Sequence, residues 1–233
     1  VNDHSTDETE NFLNQIQSPK LRVIHFTNDK KFEGKKEALS LGIEKAKYDW
    51  VLLMDCDTFP KDKNFIRNYI KSIKNREEKV IFGGIIYYNE KPKEDEMLRW
   101  IFGKSREDIP LSKRLSNPFH YTLISNILVQ KDILLKHPFD SEIFNYGYED
   151  IVFILGLKRE QIAIGHIENS AYHLNLEKSA IFLEKFHSSL QNLKLVLDKN
   201  IINPEDTALT KTYMNLKRLY LVKAVAFGFK IVK

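Results

Sequence analysis

The sequence predicts an α/β protein with three layers, in which helices cover a mainly parallel central sheet. Two observations support this fold class. Strand-like and helix-like segments alternate over the first half of the chain, which is typical of a sheet covered by helices. The apolar run from Trp50 to Met54 is typical of a buried parallel strand, and Asp55 and Asp57 follow it directly. Ligands bind at that end of the strands in open α/β sheets.

The first predicted elements are a helix and a short strand. Ser5 or Thr6 can cap a helix that begins near residues 7–9. The alternating segment 21–26 predicts a strand. The core face of the first helix is predicted from apolar residues at helical spacing, which are Phe12, Leu13 and Ile16.

The next segments continue the alternation. Helices are predicted from Gly34 to Lys47 and from Asn64 to Lys74, on either side of a strand that Pro60 ends. A strand is predicted over 80–88, where two glycines weaken it or permit a close backbone approach. Later elements are predicted as a loop over 90–120 with a helix at 94–102, strands at 124–129, 162–164 and 171–174, and helices at 132–136, 150–158, 177–199 and from 207 onward.

Composition narrows the class of protein. The 233 residues are 42% hydrophobic, which fits a globular domain with a sizeable core. The net charge of +4 is spread along the chain and no nucleic-acid-binding motif is found, so we predict no nucleic-acid partner. The single cysteine, Cys56, excludes an internal disulfide and fits a reducing compartment, and we predict a cytoplasmic location. No apolar stretch is long enough to span a bilayer.

The aspartate pair predicts a metal site. Side chains alternate along a strand, so Asp55 and Asp57 are predicted to point to the same side. Two neighbouring carboxylates repel each other and are costly to desolvate, and a divalent cation relieves both effects. We therefore predict a phosphorylated ligand and a Mn²⁺ or Mg²⁺ ion here, with Asp57 as the direct ligand. The alternative is a pair of solvated turn residues.

Four segments resemble motifs of the family 2 glycosyltransferases. Each motif is common by itself, but their order and spacing together are specific. The resemblance covers roughly residues 1–175 and implies the family's GT-A fold, which agrees with the element order above. The segments are Val1–Asp7 (the family's VDDGSTD), Gly34–Ile43 (GKxxALNxGI), Asp55–Asp57 (DxD) and Gly147–Asp150 (GxED).

The resemblance implies a donor site for a nucleotide-diphosphate sugar, with UDP the family's commonest nucleotide. It places Asp3 against the base and Asp55 against the ribose, or against the metal through water. Lys35 is predicted to approach the base or the phosphates, with an exposed helix lysine as the alternative. Asn126, with Ser125, is predicted to line the donor pocket, although a polar pair in a strand needs no such role.

A histidine is the second predicted metal ligand. His173 follows a short predicted strand, where members of the family often place a metal-binding histidine. A neutral imidazole suits Mn²⁺. The alternative is a histidine that is hydrogen-bonded within the fold or at its surface, and His166 is a weaker candidate for the same role.

An acidic pair supplies the predicted base. By resemblance Asp150 is the general base, and Glu149 orients the acceptor or supports the base. Adjacent carboxylates at a helix N-terminus interact with each other and with the helix dipole, which can tune one pKa. The neighbouring Tyr146, Gly147 and Tyr148 are predicted to bind the acceptor, since aromatic faces commonly pack against sugar rings. The alternative for the acidic pair is simple helix capping.

The resemblance implies an inverting, metal-dependent hexosyl- or N-acetylhexosaminyltransferase that acts on a glycan or lipid-linked acceptor in polysaccharide or glycoconjugate synthesis. Residues 1–175 are predicted to form the catalytic domain and residues 176–233 a helical extension. Two alternatives remain open. A nucleotidyltransferase also uses paired aspartates on an α/β sheet, and an inactive sugar-binding or scaffold domain can keep the fold without turnover.

Two departures from the family pattern concern the start of the chain. The family's first strand is not found, so we expect this sequence to be a fragment that lacks it. Asn2 replaces the usual first aspartate, and an asparagine can still form hydrogen bonds.

The C-terminal segment mixes lysines with large apolar residues. Residues 213–233 can lie on an anionic membrane surface, which predicts peripheral contact with the inner membrane face near a lipid-linked acceptor. The alternative is a helix docked on the catalytic domain.

Overall fold

A computed structural model describes residues 1–2, 5–25, 35–139 and 147–231 of the chain, with side chains described up to residue 228. The described residues form a mixed α/β fold, as predicted. The strands are β1 (Trp50–Met54), β2 (Thr58–Pro60), β3 (Val80–Phe82), β4 (Ile85–Ile86), β5 (Asn126–Gln130), β6 (Ile164–His166) and β7 (Ala171–His173). The helices are α1 (Thr9–Gln15), α2 (Lys35–Lys45), α3 (Phe65–Asn75), α4 (Met97–Arg106), α5 (Leu111–Ser116), α6 (Lys131–Lys136), α7 (Glu149–Arg159), α8 (Ser179–Asp198), α9 (Ala208–Arg218) and α10 (Val222–Ile231).

The central sheet has four strands in the order β1-β5-β3-β6. Strands β1, β3 and β6 run in one direction, and β5 runs against them. Three of the four strands thus run in one direction, as predicted, but only β3 and β6 pair in parallel because β5 lies between β1 and β3. Strand β5 follows the segment that contains α4 and α5. Its residues 126–129 are buried in the middle of the sheet.

A second sheet of three strands, β2-β7-β4, lies beyond the first. The strand predicted over 80–88 divides between the two sheets at Gly83 and Gly84. Gly84 has φ of +101°, a backbone conformation that disfavours other residues. A Cβ on Gly83 would lie 2.4 Å from the carbonyl oxygen of Asn169, so the predicted close backbone approach is confirmed.

The N-terminal helix differs from its prediction. The N-cap residue of α1 is Glu8, without a side-chain capping hydrogen bond, and not Ser5 or Thr6. The backbone N–H of Thr9 donates to Asp7 Oδ1 at 3.0 Å. None of the residues of α1 is buried, and Phe12 is 64% exposed. The predicted core face of this helix is therefore wrong for the described part of the chain.

The strand predicted over 21–26 is also wrong over its described residues, 21–25. These form only an isolated parallel bridge, between Asn2 and His25. The loop predicted over 90–120 contains the predicted helix, here α4, and a further helix, α5, that the charged and proline-containing sequence did not suggest.

The C-terminal helices pack on the rest of the fold through α8. Its residues Leu193 and Val196 form an apolar cluster with Val152 and Leu155 of α7. The Phe182 ring lies 5.3 Å from that of Phe102 on α4. No helix among the described residues combines the length and hydropathy needed to cross a membrane.

The structure corrects the role of Asn126. Its side chain is fully buried at the start of β5, and its amide nitrogen donates to the carbonyl oxygens of Gly84 (2.8 Å) and Asn169 (3.0 Å). Its amide oxygen accepts from the Tyr69 hydroxyl at 2.7 Å. A side chain with its hydrogen bonds satisfied in the core does not line a donor pocket, so that prediction is wrong.

His166 is likewise a core residue and not a metal ligand. It is 1% exposed, and Thr122 and Arg114 contact its two ring nitrogens at 3.1 and 3.5 Å. Burial, and then the Arg114 charge, lower the pKa of His166 to about 4. Its candidacy as a metal ligand is therefore wrong.

We expect the Asn126→Ala variant to be destabilised, because it removes the amide that donates to the buried carbonyl oxygen of Asn169, whereas the Gly84 carbonyl keeps the N–H of Ala171. Each unsatisfied buried group costs about 1–3 kcal/mol of unfolding free energy. Urea denaturation measures the loss, with the exposed Asn75→Ala as control. Equal stability of the two variants would contradict this role for Asn126.

Candidate active site

A cleft of about 620 Å³ opens beside β1 and contains the predicted aspartate pair. It is bounded by the ends of both sheets and by helices α2, α4 and α8. Its polar lining residues are Lys35, Asp55, Asp57, Arg99, His173, Asn175, Glu177 and Lys185. Glu177 and Lys185 form an ion pair there, so the segment from residue 176 onward contributes to the cleft wall.

Asp55 and Asp57 lie on the turn between β1 and β2, and not on a strand as predicted. The turn is closed by Thr58, whose N–H and hydroxyl both donate to the carbonyl oxygen of Asp55, at 3.1 and 2.7 Å. The strand alternation argument therefore does not apply here. The two carboxylates face the same cleft but have different partners.

The small sheet brings Asp57 to His173. Thr58 of β2 is in register with His173 of β7, and Leu174 N–H donates to the Asp57 carbonyl oxygen at 2.8 Å. Asp57 Oδ2 then lies 3.7 Å from His173 Nε2. The Tyr87 ring stacks on the imidazole with 5.3 Å between centroids and an angle of 15°. The predicted metal-ligand pair is thus held together by backbone register and ring packing.

The pair fits a divalent cation that also binds a ligand. A carboxylate oxygen and an imidazole nitrogen 3.7 Å apart can be adjacent ligands of one ion. Burial, and then the Arg99 charge, lower the pKa of His173, which favours the neutral imidazole that metals bind. Among the described residues no group of three or more His, Cys, Asp or Glu side chains could hold an ion. Where a protein supplies few ligands, water and phosphate oxygens usually complete the coordination of Mg²⁺.

Lys35 connects Asp55 to the acidic pair. Its ammonium lies 2.8 Å from Asp55 Oδ1. Burial opposes its charge, but the carboxylates of Asp150 and Asp55 outweigh burial and raise the pKa of Lys35. The sequence predicts Lys35 near the donor, and the structure pairs it with Asp55, while the charges of Asp150 and Glu149 also act on it.

Asp150 has the pKa of a usable base. Burial, opposed by Lys35 and reinforced by Glu149, raises the pKa of Asp150 to about 6. Its Oδ2 accepts the backbone N–H of Ile124 at 3.3 Å, which fixes the carboxyl group. Glu149 has a buried carboxylate oxygen, Oε2, with no hydrogen-bond partner among the described residues. Neither carboxylate lines the cleft itself, and both connect to it through Lys35.

The residues before this pair have unusual backbone. Gly147 and Tyr148 have φ of +94° and +73°. The Gly147 carbonyl oxygen accepts the Asn192 amide at 3.0 Å, and the half-buried Tyr148 packs against the apolar cluster of α8. Acceptor binding by Gly147 and Tyr148 stays a prediction. Tyr146, predicted to bind the acceptor, and Asp3, predicted to contact the nucleotide base, lie outside the described residues.

One residue of the site was missed by sequence reasoning. Arg99 on α4 is 9% exposed and lines the cleft. Its Nη2 lies 3.2 Å from Glu107 Oε2 and 3.3 Å from His173 Nε2. The sequence feature that could have indicated it is an arginine within the apolar run of α4, four residues before Gly103. The Tyr87 ring packs on the backbone of Gly103, where a side chain would not fit.

The raised pKa of Asp150 predicts a specific pH dependence. The folded protein holds this proton more tightly than the unfolded chain, whose carboxyl has a pKa near 3.8. The contribution of Asp150 to stability therefore falls as the pH rises from about 4 to about 6, by up to about 3 kcal/mol. Urea unfolding at several pH values will show this fall in the wild type and not in Asp150→Asn.

Carboxyl ¹³C shifts measured against pH give the same pKa directly. Lys35→Met should raise it further, because the opposing positive charge is lost, whereas the exposed Lys47→Met should leave it unchanged. A wild-type pKa at or below 3.8 would contradict this account of the site.

Several solved glycosyltransferase structures resemble this chain. No curated protein matches the chain. The glucosyl-3-phosphoglycerate synthase from Mycobacterium tuberculosis, solved with Mn²⁺ and uridine-diphosphate-glucose, is 16% identical, with 82% of this chain and 64% of that chain covered and a TM-score of 0.48. The complex of the same enzyme that also holds glycerol 3-phosphate is 17% identical, with 69% of this chain and 53% of that chain covered and a TM-score of 0.43. The mannosyl-3-phosphoglycerate synthase from Rubrobacter xylanophilus is 12% identical, with 73% of this chain and 53% of that chain covered and a TM-score of 0.43.

A family model also matches the chain. This chain spans about half the length of two of these solved structures, 53% in each case. The sequence model of glycosyl transferase family 2 matches residues 1–136, which is more than half of the chain. The chain therefore belongs to glycosyl transferase family 2.

Proposed function

We propose that the chain is the catalytic part of an inverting, metal-dependent glycosyltransferase. It moves a hexosyl or N-acetylhexosaminyl group from a nucleotide-diphosphate sugar, with UDP the preferred nucleotide, to a hydroxyl of a glycan or glycolipid. The single observation that supports this most is the cleft in which Asp57 lies 3.7 Å from His173, and Asp55 lies 2.8 Å from Lys35. Family membership supports the same reaction class.

The donor half of the site binds the diphosphate. Asp57 and His173 would hold Mn²⁺ or Mg²⁺, which as a Lewis acid would neutralise charge on the leaving diphosphate. Asp55 is restrained by its ion pair with Lys35, and its carboxylate would accept a hydrogen bond from a ribose hydroxyl or a metal-bound water. In this proposal residues 1–175 carry the donor and base groups, and the extension from 176 onward adds one wall of the cleft.

The acceptor half supplies the base. Asp150 takes the proton of the acceptor hydroxyl as its oxygen bonds to the anomeric carbon, and the bond from that carbon to the phosphate oxygen breaks with both electrons leaving on the nucleoside diphosphate. A single displacement of this kind inverts the anomeric carbon. A pKa of about 6 leaves Asp150 ionised at neutral pH and still basic enough to accept a proton. Glu149 orients the acceptor or supports this base.

Calorimetric titration of UDP and GDP, each with and without Mn²⁺, tests the donor site. We expect Mn²⁺-dependent binding of UDP that Asp57→Ala reduces at least about tenfold, because a charged metal ligand is lost. Asp49→Ala, an exposed aspartate just before β1, is the matched control. Absence of nucleotide binding to the wild type at millimolar concentration would refute the donor site.

Turnover separates this function from its two alternatives. The products of UDP-sugar incubation distinguish glycosyl transfer or hydrolysis, which releases UDP, from nucleotidyl transfer, which releases UMP or a UMP ester. Asp150→Asn should retain UDP binding and lose most of the turnover. A wild type that binds UDP without any turnover would support a scaffold domain.

We further propose that the C-terminal helices contact the anionic face of a membrane. Tyr220 is 93% exposed between α9 and α10, and Leu219 and Phe227 are also exposed. Lys217 and Arg218 end α9 beside them. Exposed apolar side chains next to cations are typical of helices that lie in the membrane interface.

Co-sedimentation with vesicles tests this contact. We expect binding to vesicles that contain phosphatidylglycerol and none to pure phosphatidylcholine, with a loss on replacement of Leu219, Tyr220 and Phe227 by serine. Phe12→Ser, at an exposed aromatic residue of α1, is the control. Equal binding to both vesicle types, or to neither, would refute the proposal.

A further inference from the structure

We propose that Arg99 is a positioning residue that exchanges partners when the donor binds. Without a cation it occupies the lone pair of His173, and when cation and diphosphate enter it releases His173 and binds a phosphate oxygen. This inference rests on the proposed function, because it concerns the same cleft.

The hydrogen bond between Arg99 and His173 has one possible direction. A guanidinium only donates, so at 3.3 Å from Arg99 Nη2 the Nε2 atom of His173 is the acceptor. The same nitrogen lies 3.7 Å from Asp57 Oδ2, and its lone pair is the one that a shared cation would need. Arg99 and the cation therefore compete for a single atom, and one must leave when the other binds.

Arg99 cannot withdraw far from the cleft. Its Nη2 is paired with Glu107 at 3.2 Å. Its guanidinium also lies 5.5 Å from the ring centroid of Tyr87, 5.9 Å from that of Phe102 and 5.7 Å from that of Phe182. These contacts hold a permanent positive charge beside the place where a cation would bind. Two cations at that distance repel each other unless an anion lies between them.

The guanidinium has donor capacity left for that anion. Nη1 of Arg99 is buried and has no hydrogen-bond partner among the described residues. Release of His173 would free an N–H of Nη2 as well. Two parallel N–H groups match two oxygens of a phosphate. The ligand class that satisfies both the buried nitrogen and the charge balance is a nucleoside diphosphate bound together with a divalent cation.

Arg99 consequently makes cation and diphosphate binding depend on each other. It weakens the binding of the cation alone, by competition and repulsion, and it strengthens the binding of the diphosphate once the cation is present. Loss of the arginine should change these two affinities in opposite directions. A purely structural role would weaken both.

Two titrations on the intact chain test this exchange. Binding of Mn²⁺ alone is measured by electron paramagnetic resonance of free Mn²⁺, and binding of UDP in saturating Mn²⁺ by calorimetry. For Arg99→Met we expect Mn²⁺ alone to bind about tenfold more tightly and UDP to bind at least about tenfold more weakly. Arg106→Met, at an exposed arginine on the same helix, should change neither affinity.

Further variants separate the exchange from loss of packing. Glu107→Gln breaks the same ion pair but keeps the guanidinium, so it should not tighten binding of Mn²⁺ alone. If Arg99→Met does not fold, Arg99→Lys keeps a charge for Glu107. It should also tighten the binding of Mn²⁺ alone and weaken that of UDP, by smaller factors. Parallel losses of both affinities in the arginine variants, or no change in either, would overturn the exchange. A wild type that binds neither Mn²⁺ nor UDP would instead refute the proposed donor site.

Discussion

The position of the cleft depends on the hydrogen bonds of one buried amide, that of Asn126. It connects the middle of the central sheet to Gly84 and Asn169, at the point where the chain leaves one sheet for the other. The Asn126 carbonyl oxygen also accepts the N–H of Gly83 at 3.1 Å. Because no side chain fits at Gly83, the two sheets approach closely there. The small sheet, which carries His173 on β7 and begins at Thr58 directly after Asp57, is thereby fixed relative to β1.

The charges of the site are balanced in pairs, and each pair leaves one group available. Lys35 is paired with Asp55, and its charge opposes the burial that raises the pKa of Asp150 to about 6. Arg99 is neutralised by Glu107 on one side and faces His173 on the other. Buried charges without partners would be too costly, whereas fully satisfied ones could not bind a ligand. In the proposed exchange, this partial pairing favours the entry of a cation together with an anion.

Much of the fold was predictable because local patterns determine it. Helix α3 and the long helix α8 follow from apolar periodicity alone, and their bounds agree with the prediction within about two residues. The strand that begins at Trp50 was also predicted, but it ends at Met54 and not at Pro60. The predictions for the N-terminal region failed for a different reason. The apolar pattern of α1 is real, but burial depends on what packs against a helix, and nothing among the described residues covers Phe12.

The sequence by itself determined the fold class, the family motifs and the acidic residues Asp57, Glu149 and Asp150, because composition and spacing carry that information. Only the tertiary structure decided which of these groups meet. It placed Asn126 in the core, paired Lys35 with Asp55, and brought Arg99 to His173 across 74 residues of chain. Contacts between distant segments depend on strand register and packing, and a single sequence does not express either of them locally.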